Sequence, residues 1–267
     1  MSRFRQQQPV RVSSWPITAL AKNYPRGWHV EKHRHRRGQF IYAKSGVMHV
    51  TTREGIWIVP PQRSLWIPVG LEHEIHMEGQ VSVRMLYLDR PTSALFGPHC
   101  KVLAVSTLLR ELVLAAVQAH ADKLRERMAI LTPLLLHELR TADETAFHIP
   151  VPSDPRLKNV CLRLLAGTSR VETLEQLAVR AGASSRTLAR LFEKELQMSF
   201  VRWRQHVRLA SALSRISMGH SIKTVARDAG YASCSAFSSM FHRVLGVTPT
   251  DYLKQAMESG DRRSRSR

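Results

Sequence analysis

In the run "GWHVEKHRHRRGQFIYAKSG", residues 27–46, His33 and His35 flank Arg34 and two glycines, Gly27 and Gly46, bracket the whole stretch. Side chains on a strand alternate between its two faces, so an H-x-H pair sends both imidazoles to one side. The same alternation sends Arg34 and Arg36 to the other. Paired imidazoles can ligate a divalent metal or hydrogen-bond a small polar ligand. Three readings follow: a metal centre that does chemistry, an emptied site that holds a ligand, or a basic loop.

The elements that must position this pair are strands. From about Ala19 to Asp89 the apolar residues alternate or occur in short β-rich runs such as "GIWIVPP", "SLWIPVG" and "VSVRMLYLD". Turn residues punctuate them at roughly ten-residue spacing, the pattern of a small sandwich or barrel. Trp57, Trp66 and Tyr42 fall at strand positions, where aromatic side chains usually fill a core. His29 and His76 stand alone as surface or core residues, and His49 follows a strand pattern that could face inward.

Beyond Val105 the period becomes helical. "STLLRELVLAAVQAHADKLRERMAILTPLLLHELR" reads as two helices, with Pro133 starting or kinking a last segment. Their apolar faces carry Leu108, Leu112, Ala115 and Ala119, then Leu131, Leu135 and Leu139. Such faces serve packing on the β domain, a dimer interface, or both. A proline-rich stretch at 146–156 reads as a linker, and a helical pattern runs from Leu157 nearly to the basic tail at 257–267.

The formal net charge is +19, which favours polyanionic partners such as nucleic acid. From Ser153 onward 20 Lys and Arg face 9 Asp and Glu, whereas residues 101–152 balance at 6 against 6. The excess base therefore sits largely in the C-terminal helical region. Cys100, Cys161 and Cys234 are widely separated with no C-x-x-C spacing, as expected of reduced thiols in a cytoplasmic protein. The N-terminus has no apolar signal region, and no apolar run has the length of a transmembrane helix.

The C-terminal region repeats itself. "TLEQLAVRAGASSRTLARLFEKELQMSFVRW" and "SIKTVARDAGYASCSAFSSMFHRVLGVTPTDYL" align with Ala178 on Ala226 at an offset of 48. After Gly182 and Gly230 the offset becomes 49, with Phe192 on Phe241. Each block has the logic of a helix-turn-helix. A short helix buries Leu174, Leu177 and Ala178, or Ile222, Val225 and Ala226; a left-handed glycine ends it. Serines at 184–185 or 233 cap a second helix, whose Arg186 and Arg190 in the first block share one exposed face. Arginine on such a face can pair bidentately with guanine in the major groove. Between the blocks, Phe200, Trp203, Val207, Ala210 and Leu213 form a helical stripe in a 19-residue run. That run spans roughly 28 Å, close to one turn of B-DNA at about 34 Å. It could hold two recognition helices in successive grooves, with Arg202, Arg204, Arg208 and Arg215 toward phosphates.

Over about residues 155–255 the sequence resembles the AraC/XylS family of bacterial transcription regulators. "GYASCSAFSSMFHRVLGVTPTDYL" carries the family's start, G-Y/F-x-S-x-S-x-F, and its end, G-x-T-P-x-x-Y. The resemblance implies base contacts from Arg186, Ala189 and Arg190 in the first recognition helix, and from Cys234, Ser235, Ser238 and Ser239 in the second. Many members carry a long side chain where Ser239 stands, so the second helix is expected to contribute phosphate contacts and groove shape more than base pairing.

The N-terminal stretch in turn resembles the first cupin motif, G-x5-H-x-H-x3,4-E-x6-G, with Gln39 in place of the glutamate. A partial second motif places His73 after Pro68 and Gly70, with Gln62 for its first glycine and Met77 for its asparagine. Enzymatic cupins hold a divalent metal with three His and one Glu. The resemblance thus implies a metal or effector pocket of His33, His35, Gln39 and His73, with no carboxylate to offset a cation.

The expected fold is α+β and multidomain. Residues 1–100 form a cupin-like effector-sensing β-barrel, 101–145 a helical pair for packing or dimerisation, 146–156 a linker, and 157–256 an all-α domain of two helix-turn-helix motifs joined by a long helix. The expected function is a sequence-specific, non-enzymatic transcription regulator controlled by a small molecule or divalent metal. Its expected partners are double-stranded operator DNA, a small-molecule effector, RNA polymerase and a second copy bound through helices 105–140, with no membrane. The alternative is a metal-dependent cupin enzyme, of dioxygenase or isomerase type, fused to a DNA-binding module.

Overall fold

The computed structural model describes residues 15–144, 148–149, 152–165, 172–217, 219–245 and 247–254. Its N-terminal half contains β1 (Ile17–Tyr24), β2 (His29–His33), β3 (Gly38–Thr52), β4 (Gly55–Val59), β5 (Arg63–Ile67), β6 (His73–Leu88), β7 (Lys101–Ala104) and β8 (His148–Ile149). The helices are α1 (Arg90–Ser93), α2 (Thr107–Ala121), α3 (Arg125–Thr141), α4 (Pro155–Leu165), α5 (Leu174–Arg180), α6 (Ser185–Leu196), α7 (Phe200–Ser217), α8 (Ile222–Asp228) and α9 (Cys234–Leu245).

A long antiparallel ribbon of β3 and β6 organises the strands. The two pair from Gly38↔Leu88 to Thr52↔His73, with register shifts between Ala43 and Val47. One half of the ribbon carries β1 on β6 and β5 with β7 on β3; the other carries β2 on β6 and β4 with β8 on β3. The bulged region is thus the crease between two five-stranded arrays that share β3 and β6. Among the described residues no ladder joins the outer strands, so hydrogen bonding leaves the sandwich open at its edges.

Alternation gives each array an inner and an outer face. Ile41, Met48, Val50, Val59, Leu65, Ile75, Met85 and Tyr87 fill the interior, with Trp57 among them. The outer face of the first array (Ile17, Ala19, Phe40, Tyr42, Trp66, Leu86) is covered by Leu109, Leu112, Val113 and Ala116 of α2 and Met128, Leu135 and Leu139 of α3. Pro133 lies inside α3 without ending it. Leu108, expected on the buried face, is half exposed instead, because the helix turns Leu109 and Val113 onto the sheet.

The outer face of the second array meets the C-terminal helices. Val47 and Ile58 share a core with α4, α5 and α6 and with Phe200 and Trp203 of α7. Leu209, Ala212, Leu213 and Ile216 then pack with Val225, Phe237, Met240 and Phe241 of α8 and α9. The apolar stripe of α7 therefore shifts sides along its length, holding one helix pair with its first half and the other with its second. This corrects the single stripe expected through Val207, which is only half buried; the side chain of Ala210 lies outside the described ones.

Two domain boundaries also move. Lys101–Ala104, expected to open the helical pair, is a strand on β5. The linker expected at 146–156 contributes β8, which pairs Ile149 with Ile56 and His148 with Trp57, and its end begins α4 at Pro155. The tail at 257–267 lies outside the described residues. Arg63 of β5 adds a further tie, donating from Nη2 to the Leu245 carbonyl at the end of α9, 3.4 Å away; a cation is favourable at a helix C-terminus.

Backbone conformation sharpens the motif reading. Gln62, standing where the second cupin motif has glycine, retains a left-handed φ of 64°, which costs a non-glycine residue roughly 1–2 kcal/mol. Gly46 at the crease has φ 77°, and a Cβ there would lie 2.4 Å from the Gln80 carbonyl oxygen. Gly46→Ala is expected to destabilise the fold by about 2–4 kcal/mol, and Gln62→Gly to stabilise it by about 1 kcal/mol. Denaturant midpoints at constant m-value check both signs.

Candidate functional site

The histidine cluster is built where β2 meets the start of β6. His33 ends β2 and pairs in register with His73, after a register shift between Val30 and His33. His35 lies just beyond the strand, and its carbonyl accepts from the Gly70 N–H at 2.9 Å. That bond joins the two motif stretches, far apart in sequence, into one wall. The ring centroids lie 4.8 Å apart for His33–His35, 4.3 Å for His33–His73 and 5.3 Å for His35–His73. Arg34 and Arg36 are exposed, but they lie in the loop between β2 and β3, so the strand alternation expected for the H-x-H pair does not place them; Arg37 donates to the Trp15 and Pro16 carbonyls.

Hydrogen bonds select the tautomers. His73 Nδ1 lies 3.0 Å from the Leu71 carbonyl oxygen and His33 Nδ1 lies 2.7 Å from that of Glu31. A neutral imidazole facing a carbonyl must donate from that nitrogen, which leaves Nε2 as a bare lone pair. The Nε2 atoms of His35 and His73 are buried without hydrogen-bond partners among the described residues. Burial, with the neighbouring histidines adding to it, pushes His35 down to about 3; burial chiefly pushes His73 down to about 4. Both are neutral at pH 7.

One ligand atom from each histidine lies within 4.8 Å of the others. A zinc-like ion bonds imidazole nitrogen at about 2.0–2.1 Å, so closing on one requires movements of order 1 Å. Clustered imidazole nitrogens, with Nδ1 fixed by carbonyls at His33 and His73, suit a borderline divalent metal. Gln39, on β3, is buried and donates from Nε2 to Tyr87 Oη at 3.0 Å, while its Oε1 is unpartnered. Tyr87 in turn sets its ring 5.2 Å from that of His35. Tyr87 and Met85, whose Sδ is 3.5 Å from Tyr87 Oη, belong to the pocket and were not singled out from sequence. The only signal for them was the even spacing of 73, 85 and 87 on one strand. His49, which could have faced inward, pairs with Glu78 at 2.9 Å on the outer side.

The second candidate surface is the exposed face of α6 and α9. Thr173 and Gln176 form a capping box on α5, and Ser184 caps α6 by accepting from Thr187 N–H. Leu188, Leu191 and Phe192 are buried, which leaves Arg186 and Arg190 exposed with Ala189 between them. In α9, Phe237, Met240 and Phe241 are buried; Cys234, Ser235 and Ser239 are exposed and Ser238 is half buried. His242, one helical turn beyond Ser238 and Ser239, is also exposed and extends that face. Sequence inspection passed over it, although the seven-residue step from Ser235 marks it.

The arginines of α7 divide. Arg204 donates to the Glu172 carbonyl at 3.1 Å and lies over the Phe200 ring, and Arg215 pairs with Asp228 at 2.7 Å. These two fasten the helix pairs to α7 rather than waiting for phosphate; Arg202 is exposed.

Two family profiles match the chain: an AraC-like ligand binding domain over residues 15–139 and a helix-turn-helix domain over residues 177–255. The HTH-type transcriptional regulator NimR of Escherichia coli K12 is 34% identical over 222 residues, which span 83% of this chain and 81% of that protein. The chain belongs to the AraC family of transcription regulators. It is a DNA-binding regulator with a ligand-binding domain in its N-terminal half. A further likeness, to the HTH-type transcriptional regulator RipA of Corynebacterium glutamicum, is 33% identical over 39% of this chain and 31% of that one. The structure of ToxT from Vibrio cholerae O395 aligns with a TM-score of 0.39 at 12% identity, over 90% of this chain and 98% of that one. Among the described residues no helix is long and apolar enough to cross a membrane.

Within this AraC-family frame the exposed faces of α6 and α9 are unequal, one bearing two guanidinium groups and the other short hydroxyls. Arg190→Ala is expected to lower discrimination between operator and mismatched DNA by about 1–3 kcal/mol. Ser239→Ala should change it by less than about 0.5 kcal/mol. Competition binding against single-base operator variants measures both; equal losses would contradict the asymmetry.

Proposed function

We propose that this regulator reads DNA through Arg186, Ala189 and Arg190 of α6 and Cys234, Ser235, Ser238 and Ser239 of α9, under control of an effector held by His33, His35 and His73. The observation that carries this reading is the set of imidazoles whose Nδ1 atoms are engaged at His33 and His73, and whose buried Nε2 atoms at His35 and His73 have no partner. A pocket of clustered imidazoles, two of them with unpartnered buried Nε2 atoms, suits a divalent transition metal, with Gln39 nearby as a neutral oxygen donor. A bound cation would supply a positive centre that cross-links β2, the loop after it and β6.

The coupling follows from the two faces of the ribbon. His73, Gln39 and Tyr87 belong to the interior, while Val47 and Ile58 on the outer side of the second array pack against the helices that carry DNA recognition. Whatever tightens the interior changes the free energy of that packing, and the linkage is reciprocal. Expected outcome: Zn²⁺, Ni²⁺ or Mn²⁺ binds near one equivalent per chain and shifts operator affinity. His33→Ala with His73→Ala should weaken metal binding by more than about 100-fold and leave metal-free DNA binding unchanged. An unaltered metal response in the double variant would refute the assignment.

The same reading includes a homodimer through α2 and α3. Ile130 and Leu134 lie four residues apart on one face of α3, 77% and 43% exposed, and Leu108 of α2 is 50% exposed. An exposed apolar pair one helical turn apart can seed self-association. Ile130→Arg is expected to convert dimer to monomer in sedimentation at micromolar concentration, without loss of helicity.

A further inference from the structure

The inward face of β1 carries a cation that no described residue neutralises. Strand register pairs Thr18 with Tyr87, Leu20 with Met85, Lys22 with Val83 and Tyr24 with Val81. Residues directly opposite on an antiparallel pair share a face, and Val81, Val83, Met85 and Tyr87 belong to the interior. Thr18, Leu20, Lys22 and Tyr24 therefore face the same interior as the histidine cluster. Thr18 is 2% exposed there, yet Leu20 is 37% exposed and Lys22 and Tyr24 are only half-buried. His33 and His35 are half-buried as well. Solvent thus reaches the interior between the edges of β1 and β2, with Lys22 on one side of the opening and the imidazoles on the other.

Lys22 has no hydrogen bond or ion pair among the described residues. Burial lowers its ammonium from the ordinary lysine value. After burial and the two other histidines, Lys22 is the next influence holding the His35 imidazole down, which places its charge close to the cluster. The carboxylates of the neighbouring wall are engaged elsewhere: Glu72 with Lys32 at 2.8 Å, Glu74 with His29 at 3.4 Å and Glu78 with His49 at 2.9 Å. Gln39 is a neutral amide. A divalent ion among His33, His35 and His73 would stand near a second cation with no negative group to offset either, and partial burial strengthens that repulsion.

We infer that Lys22 and the histidine cluster together hold a small aliphatic carboxylate, and that this anion is the molecule sensed. The inference rests on the metal pocket proposed above. Two oxygens on one carboxylate suit two positive centres, and a charge-assisted hydrogen bond from the Lys22 ammonium would fix the anion. Beside Lys22 the wall is hydrocarbon, with Leu20, Val83 and Met85 on the same face. An alkyl chain can cover the exposed part of Leu20, a gain that an inorganic anion does not offer. The imidazoles of His35 and His73 are neutral and supply no charge of their own, so the carboxylate should bind the metal-loaded chain and not the metal-free one.

Titration of the full chain with Co²⁺ at pH 7 and constant ionic strength, with and without sodium acetate or butyrate, tests the pairing, because the visible absorption of Co²⁺ reports the groups around it. Either carboxylate should lower the apparent Co²⁺ Kd about tenfold and change the absorption saturably, butyrate acting at least as strongly as acetate. Acetamide and chloride should do neither. Lys22→Met should bind Co²⁺ alone at least as tightly as the unaltered chain, since a like charge is gone, and should lose the carboxylate effect. Lys22→Arg should keep that effect to within about threefold. Co²⁺ binding without a carboxylate response, the same response in Lys22→Met, or an equal response to phosphate would overturn the inference and leave the metal pocket standing. Absence of Co²⁺ binding both with and without carboxylate would overturn the two together.

Discussion

The pairing of β3 with β6 is the constraint on which the rest of the molecule depends. The two strands, 15 and 16 residues long, exchange partners from end to end and present four distinct surfaces. Their inner faces close the sandwich and hold Gln39, His73 and Tyr87; one outer face seats α2 and α3, and the other seats α4, α5, α6 and the start of α7. Because strand side chains alternate strictly, a slip of one residue would exchange every inner group for an outer one. The glycine at the crease and the register shifts between Ala43 and Val47 let one ribbon serve two arrays without such a slip.

The long helix α7 solves a different problem, the spacing of the two C-terminal helix pairs. Its 18 residues give about 27 Å, and its apolar surface passes from the first helix pair to the second along that length. Phe200 and Trp203 anchor one end, while Leu213 and Ile216 anchor the other. Arg204 and Arg215 reinforce the two junctions through the Glu172 carbonyl and Asp228. The pairs α5–α6 and α8–α9 are thereby fixed relative to each other by buried contacts, which salt screens little.

Much of this was legible in the sequence where a local rule forces the residue. Left-handed turns demanded Gly27, Gly46 and Gly70, and the same conformation persists at Gln62, so motif spacing located the histidine cluster despite the substitutions. The repeat of small alanines and helix-ending glycines located both helix pairs. What escaped notice depends on partners instead of local pattern. Tyr87 reads as one more strand aromatic until Gln39 and His35 are seen beside it. The strand at Lys101–Ala104 is set by β5, and the two-residue β8 exists only because β4 offers an edge. The shift of stripe along α7 was hidden because helical periodicity gives the angle of a face but not which neighbour covers it.

The small strand β8 has one more effect. β4, with the sequence Gly-Ile-Trp-Ile-Val, has every mark of an aggregation-prone edge: β-branched and aromatic residues, no charge and no proline. The connector between the two halves occupies that edge at Ile56 and Trp57. The tether is therefore also a shield, and it ties colloidal behaviour to domain architecture. A sensor half cut before residue 148 would expose a strand able to recruit its own copies, so in this chain the solubility of one domain is encoded in the segment that leads to the other.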